Sequence, residues 1–306
     1  MDFSFEGHTC LVTGGAGFIG SHLVEALVGA GASVRVLDDL SAGRIENLAS
    51  VRDKVEFREG SVLDQELVWE LVSGCTCVFH LASVVSVTRS FEEPVHCHRV
   101  NAEGVLVVTE AASRAGARLV HSSSAAVYGE NPNLPVPEAQ VLAPLSPYGA
   151  QKAYGEMIAS AYGTGVSLRY FNVYGPRQDP SSPYSGVVSI FSQNMAAGLP
   201  ITVYGDGRQT RDFVYVEDVV RANLRAALST VRGAYNVCTG TRVSLLELID
   251  VLSGLLQPVE VLFAEPRIGD IRHSAGDPRL AETELGFIAR TTIRDGLAKL
   301  VKSQVG

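Results

Sequence analysis

No apolar run in this 306-residue chain approaches the roughly 20 residues a membrane-spanning helix needs, so no span is expected. There is no block of like charge either. The 25 basic and 33 acidic residues, formal net charge -8, are scattered, which disfavours a nucleic-acid surface. Low-complexity segments and internal repeats are missing, and 46% hydrophobic with 19% charged residues leaves an ordinary globular protein. Cysteine is sparse. Cys10, Cys75, Cys77, Cys97 and Cys238 make an odd count with no paired spacing of the zinc or disulfide kind, so a reducing, cytoplasmic setting is expected. His96-Cys97-His98 gathers ligand types, but consecutive helical positions point in different directions and cannot converge on one ion, so no metal is expected. The opening "MDFSFEGHTCLVTGG" starts acidic and runs into a strand, unlike a signal peptide.

What is present is an alternation. Short runs rich in β-branched residues, "TCLVT" (9–13), "SVRVLD" (33–38), "KVEFRE" (54–59), "CVFHLA" (77–82), "ARLVHSS" (117–123) and "GVSLRYFNV" (165–173), read as buried strands. Between most of them lie helical patterns such as 20–32 and 101–116. Strand–helix alternation predicts an α/β fold, a Rossmann-type doubly wound parallel sheet over 1–170. The Pro- and Ser-rich stretch 176–186 breaks the pattern, and residues 171–306 are expected to form mainly a smaller C-terminal α/β lobe, with segments near 211–240 returning to the first domain.

"TGGAGFIG" (13–20) follows the first strand and opens a helix. Gly14 suits a tight turn, Gly17 a close approach of backbone to a pyrophosphate, and Gly20 close helix–strand packing; Phe18 and Ile19 begin the helix whose free N–H groups attract phosphate. Asp38 and Asp39 end the second strand, where a carboxylate accepts hydrogen bonds from an adenosine ribose and repels a 2′-phosphate, favouring NAD over NADP. In "SPYGAQKAYGE" (146–156), Tyr148 and Lys152 stand one helical turn apart. A free phenol has a pKa of about 10, and a nearby positive charge is expected to lower it by roughly 1–3 units, toward a useful base.

Together with "FHLAS" (79–83), "SSSAAVYG" (122–129), "RYFNVYGPRQ" (169–178), "VYGDGRQTRDFVYVEDV" (203–219) and "GDIRHS" (269–274), these motifs resemble the extended short-chain dehydrogenase/reductase family over nearly the whole chain, in its nucleotide-sugar epimerase branch. The resemblance implies a catalytic set of Ser124, Tyr148 and Lys152. It implies a nicotinamide side lined by Leu81, Ala82 and Ser83, with Asn101 and Tyr174 near the cofactor cavity. The family's aspartate at the adenine is replaced by Ser61, and Asp64 reads as a helix cap. Nucleotide-sugar 4,6-dehydratases carry an Asp-Glu pair directly after the hydroxyl residue, where this chain has Ala125 and Ala126; elimination is therefore disfavoured, and reversible oxidation at carbon 4 remains.

By the same resemblance, Asn172, Arg211 and Arg267 bind the diphosphate, Val188, Ile190, Thr202, Val203 and Tyr204 frame the uracil, and Asp270 lies near the ribose. Small Ser274 leaves room for an N-acetyl group beside the sugar's carbon 2. The implied activity is NAD-dependent 4-epimerisation of a UDP-hexose, UDP-glucose or UDP-N-acetylglucosamine, in polysaccharide or glycoconjugate synthesis, by a homodimer packed through the helices near 90–115 and 147–162. UDP-glucuronate, with polar groups near Ser86, Thr88 and Arg89, a 4-reductase, and an NAD-sensing scaffold remain alternatives.

Overall fold

A computed structural model describes residues 3–180, 186–266 and 271–305. The chain opens with β1 (Thr9–Thr13), α1 (Phe18–Gly29), β2 (Ser33–Asp38), β3 (Val55–Glu59), α2 (Gln65–Val72) and β4 (Cys77–His80). Then come α3 (Val87–Glu92), α4 (Pro94–His98), α5 (Gly104–Ala115), β5 (Arg118–Ser124), α6 (Pro147–Tyr162) and β6 (Gly165–Tyr170). The remainder comprises β7 (Asn172–Tyr174), α7 (Val187–Ala196), β8 (Ile201–Tyr204), β9 (Thr210–Arg211), β10 (Phe213–Tyr215), α8 (Val216–Leu228), β11 (Gly233–Val237), β12 (Val243–Ser244), α9 (Leu245–Leu255), β13 (Val261–Ala264), α10 (Arg279–Leu285) and α11 (Ile293–Val305).

Seven strands form one parallel sheet in the order β11-β6-β5-β4-β1-β2-β3. Its central strands β1, β4, β5 and β6 are buried on both faces, which is why they read as apolar runs, whereas the edge strand β3 has no fully buried residue. Alternation divides the sheet between two cores: Cys10 and Val12 of β1 pack with α1 and α8, whereas Leu11 packs with α2 and α5. The strand order reverses between β1 and β4, and the crevice above a reversal is where doubly wound folds bind their ligands.

The smaller lobe is built from α7, β8, β9, β12, β13, α9 and α11 around Phe191, Met195, Ile201, Leu248, Leu252, Leu297 and Leu300. Strand β11 completes the edge of the main sheet, α8 packs on α1, and α10 packs on β11, so the chain crosses between lobes more than once. The helix expected near 90–115 is broken. Pro94 begins α4, and residues 99–103 form a single π-helical turn before α5, with Asn101 inside it. Such turns re-aim one side chain, and the partners of Asn101 below show what is gained.

Candidate active site

Each expected catalytic side chain is carried to the crevice by a different feature of the local sequence. Ser124 ends β5, and its hydroxyl caps the 3₁₀ turn 125–128 by accepting from the Ala126 N–H at 3.2 Å. Positions 125 and 126 therefore sit directly beside that hydroxyl and offer only methyl groups. Helix α6 starts where Ser146 caps it and Pro147 occupies its first position, which fixes the phase of Tyr148 and Lys152. The backbone N–H of Tyr148, one of the unpaired donors of a helix start, donates to the buried hydroxyl of Ser90 at 3.2 Å, locking α3 onto α6.

Tyr148 and Lys152 are 7% and 5% exposed, so their solvation decides their acidity. Lys152 Nζ donates to the carbonyl of Ser122 at 2.8 Å and lies 5.9 Å from the centre of the Tyr148 ring. Burial lowers the lysine to about 8. Burial also pushes the Tyr148 phenol up to about 12, against a hydrogen bond from Ser124 that favours the phenolate. In the protein alone the desolvation cost of the anion outweighs that hydrogen bond, and the lowering expected from the positive nicotinamide ring requires the bound cofactor. Beneath the lysine, His80 and His121 stack at 6.1 Å, and His80 hydrogen-bonds Thr13 at 2.8 Å. Burial, with Lys152 adding to it, drives His80 down to about 3 and His121 well below its usual value, so both rings are neutral.

Gly14 has φ +69, and a Cβ there would lie 2.7 Å from the Ala82 backbone nitrogen; a Cβ on Gly20 would lie 2.1 Å from the Gly14 carbonyl oxygen. Helix α1 begins at Gly17 with no side-chain cap and no acid in its first turn, leaving its N–H groups facing the crevice. Phe18 and Ile19 pack toward the second lobe and help join the two. Asp38, 6% exposed, spends its carboxylate on the Ala16 and Leu40 N–H groups at 2.9 Å each, bracing the glycine turn. Asp39 is exposed and accepts from Ser41. Ser61 accepts from the Leu63 N–H, and Asp64 caps α2 through Leu67.

Asn101 is 4% exposed and fully occupied. Its Oδ1 accepts from the Ser83 hydroxyl (2.8 Å) and Val84 N–H (2.7 Å), while its Nδ2 donates to the Val84 carbonyl (3.1 Å) and Gln151 Oε1 (2.8 Å). It ties the segment after β4 to the residue beside Lys152 and acts through them. Leu81 and Ala82 are half-buried at the end of β4, with the Leu81 N–H donating to Thr13. Tyr174, expected near the cofactor cavity, instead lies in the second lobe's core, its hydroxyl turned toward α11.

In that lobe Asn172, Thr202 and Tyr204 are exposed and Ile190 is half-buried. Val188 and Val203 are 2% and 0% exposed inside the core, so they reach a base only through their backbone; an apolar residue's facing is set by packing that the sequence does not display. Arg211 donates to the Thr210 and Arg272 carbonyls, and the Ser274 N–H donates to Thr210, which places Arg211 and Ser274 on neighbouring segments. Arg267 and Asp270 lie outside the described residues. Sequence reasoning passed over Asp212. It is fully buried and accepts from Thr239, Gly240 and Gly276, fastening the Arg211 strand to the segment that follows Ser274. Its place beside Arg211 in "TRDF" was the one available signal.

Comparison with known proteins decides the family. The sequence profile of the NAD dependent epimerase/dehydratase family matches residues 10–238. The chain belongs to this family. It is 42% identical over 304 residues to a UDP-glucose 4-epimerase of Mycolicibacterium smegmatis, covering 95% of this chain and 97% of that one. Among solved structures, the UDP-N-acetylglucosamine 4-epimerase of Methanobrevibacter ruminantium, in complex with UDP-N-acetylmuramic acid, superposes with a TM-score of 0.94 at 36% identity, over 97% of this chain and 98% of that one. The UDP-glucose 4-epimerase of Thermotoga maritima, solved with UDP-glucose, gives 0.92 at 39% identity, over 97% and 98%. As an NAD-dependent epimerase/dehydratase, the chain has residues that fit the cofactor: the uncapped helix start at Gly17, the turn that admits no Cβ at Gly14, and the carboxylates of Asp38 and Asp39 that repel a 2′-phosphate.

Proposed function

We propose that this protein is an isomerase that inverts carbon 4 of a UDP-hexose through a 4-keto sugar. The observation that carries this reading is the buried Ser124–Tyr148–Lys152 cluster flanked by the methyl groups of Ala125 and Ala126. Bound NAD supplies a hydride acceptor that returns what it takes, together with a positive ring that favours the phenolate. Tyr148 removes the proton of the carbon 4 hydroxyl while Ser124 hydrogen-bonds the same oxygen. Lys152 holds the nicotinamide ribose and favours the phenolate. Once the keto sugar has turned, Tyr148 returns the proton on the other face. With methyl groups at 125 and 126, no carboxylate stands there to assist loss of water.

Asn172 and Arg211, joined by Arg267, hold the diphosphate; Thr202 and Tyr204, with the backbone at Val188 and Val203, frame the uracil, and Asp270 meets the ribose. The relatives named for UDP-glucose and UDP-N-acetylglucosamine support this substrate class. Arg89 is paired with Glu93 on the surface, and the Ser86 hydroxyl caps α3 by accepting from the Arg89 N–H. The protein works in the cytoplasm, its five thiols free and buried, in polysaccharide or glycoconjugate synthesis. It works as a homodimer: Phe91, Val95 and Met157 expose 60%, 74% and 61% of their surface on α3, α4 and α6.

Incubating the purified protein with UDP-glucose and UDP-N-acetylglucosamine, with no added reductant, is expected to equilibrate each with its 4-epimer; recovery of both unchanged refutes the reading. Ser274→Tyr is expected to depress turnover of the N-acetylated sugar at least about tenfold more than that of UDP-glucose. Equal losses on the two sugars would remove Ser274 as the determinant.

A further inference from the structure

Glu156 lies one helical turn beyond Lys152 and two beyond Tyr148, on the same face of α6. Its carboxylate is buried and takes both arms of Arg169: Nε to Oε1 at 2.9 Å and Nη2 to Oε2 at 2.7 Å. The Ser123 hydroxyl donates to the same Oε1 at 2.5 Å, so the residue before Ser124 is held by the residue one turn past Lys152. Arg169 then uses Nη1 to reach the Tyr128 hydroxyl at 2.8 Å and the Glu138 carbonyl at 3.0 Å, with its guanidinium 4.8 Å from the Tyr128 ring centre. Tyr128 closes the 3₁₀ turn that Ser124 opens, and its hydroxyl donates to Asn236 Oδ1 at 2.6 Å. Asn236 Nδ2 donates to the Val136 and Asp277 carbonyls. Val136 is in turn bonded to both Ala275 and Asp277, next to Ser274.

An unbroken chain of buried hydrogen bonds thus runs from the catalytic helix, past both ends of the Ser124 turn, to the segment bearing the sugar-pocket serine. Stability alone is a weak reason for it, because apolar pairs of similar volume often replace a buried ion pair at no cost. A bidentate arginine does what apolar packing cannot: it fixes angle and register together. We propose that Glu156 and Arg169 are positioning residues for this reaction, holding Ser124 and Tyr148 in register with the sugar-side segment through Tyr128. The inference rests on the epimerase reading above, in which Ser124 and Tyr148 act on the sugar. A displacement of about 1 Å in such a set can cost up to a hundredfold in rate without affecting binding.

The test compares two variants of the NAD-loaded protein with the parent on UDP-glucose. Tyr128→Phe removes one hydroxyl, keeps the ring under the guanidinium and breaks the link to Asn236. The pair Glu156→Leu with Arg169→Met replaces the ion pair by apolar volume. Both are expected to lower kcat at least about tenfold while KM and the bound NAD content stay within about twofold. A parent-like kcat in Tyr128→Phe overturns the inference, as does a loss confined to KM. Should the paired replacement fail to fold, Tyr128→Phe alone decides. An inactive parent would instead refute the epimerase reading, and the two failures are distinct.

Discussion

Lys152 shows at the scale of one residue how function and stability pull apart. Its ammonium is buried where the proposed chemistry needs it, and burial lowers it from 10.5 to about 8. Between those two pH values the unfolded chain holds a proton that the folded one has released, so stability rises with pH across that window. Below about 8 the folded protein bears the full cost of an interior charge, on the order of 3 kcal/mol. Lys152→Met keeps the stem and removes the charge. At matched NAD occupancy it is expected to raise the denaturation midpoint at pH 7, with a gain that shrinks toward pH 10, while turnover is lost. A pH-independent midpoint difference in denaturant titrations would contradict this account of the lysine. The grouping of Ser124, Tyr148 and Lys152 was legible in the sequence because a strand end and a single helical turn place them. The raised phenol was not, because burial is contributed by segments far along the chain.

Among the elements, the glycine turn and the helix behind it were the most readable, since their geometry depends on adjacent residues. A Cβ on Gly20 would meet the Gly14 carbonyl oxygen at 2.1 Å, a backbone atom that cannot step aside without opening the turn. Gly20→Ala is therefore expected to cost about 1–3 kcal/mol and to yield protein with little bound NAD, read from the nucleotide released on denaturation. Full NAD content at parent stability would show that the turn tolerates the methyl group. The elements that sequence reading missed share one property: their partners are remote. The π-helical turn at 99–103 is explained by Asn101 reaching Val84 and Gln151, some 17 and 50 positions away. Asp212 and Arg169 read as members of motifs, and only the fold shows that one clamps Gly240 and Gly276 while the other grips Glu156. Val188 and Val203 were assigned to the uracil because apolar residues suit both a base and a core, and packing chose the core.

For the molecule as a whole, the chain passes between the two lobes more than once, with β11 returning to the edge of the main sheet and β10 pairing with β7. The apolar surface on α3, α4 and α6 remains exposed in this chain and is where the homodimer is expected to pack. Phe91→Asp places a charge in that face. It should shift the mass measured by light scattering from dimer to monomer; an unchanged dimer mass would move the interface elsewhere, and a monomeric parent would remove it. The central claim, that one carbon is oxidised and reduced within one bound complex, is tested most directly with UDP-glucose carrying deuterium at carbon 4. The account predicts UDP-galactose with the deuterium still at carbon 4, formed without added NAD, and no product from Tyr148→Phe. Loss of the label to solvent, or full turnover by Tyr148→Phe, would contradict it.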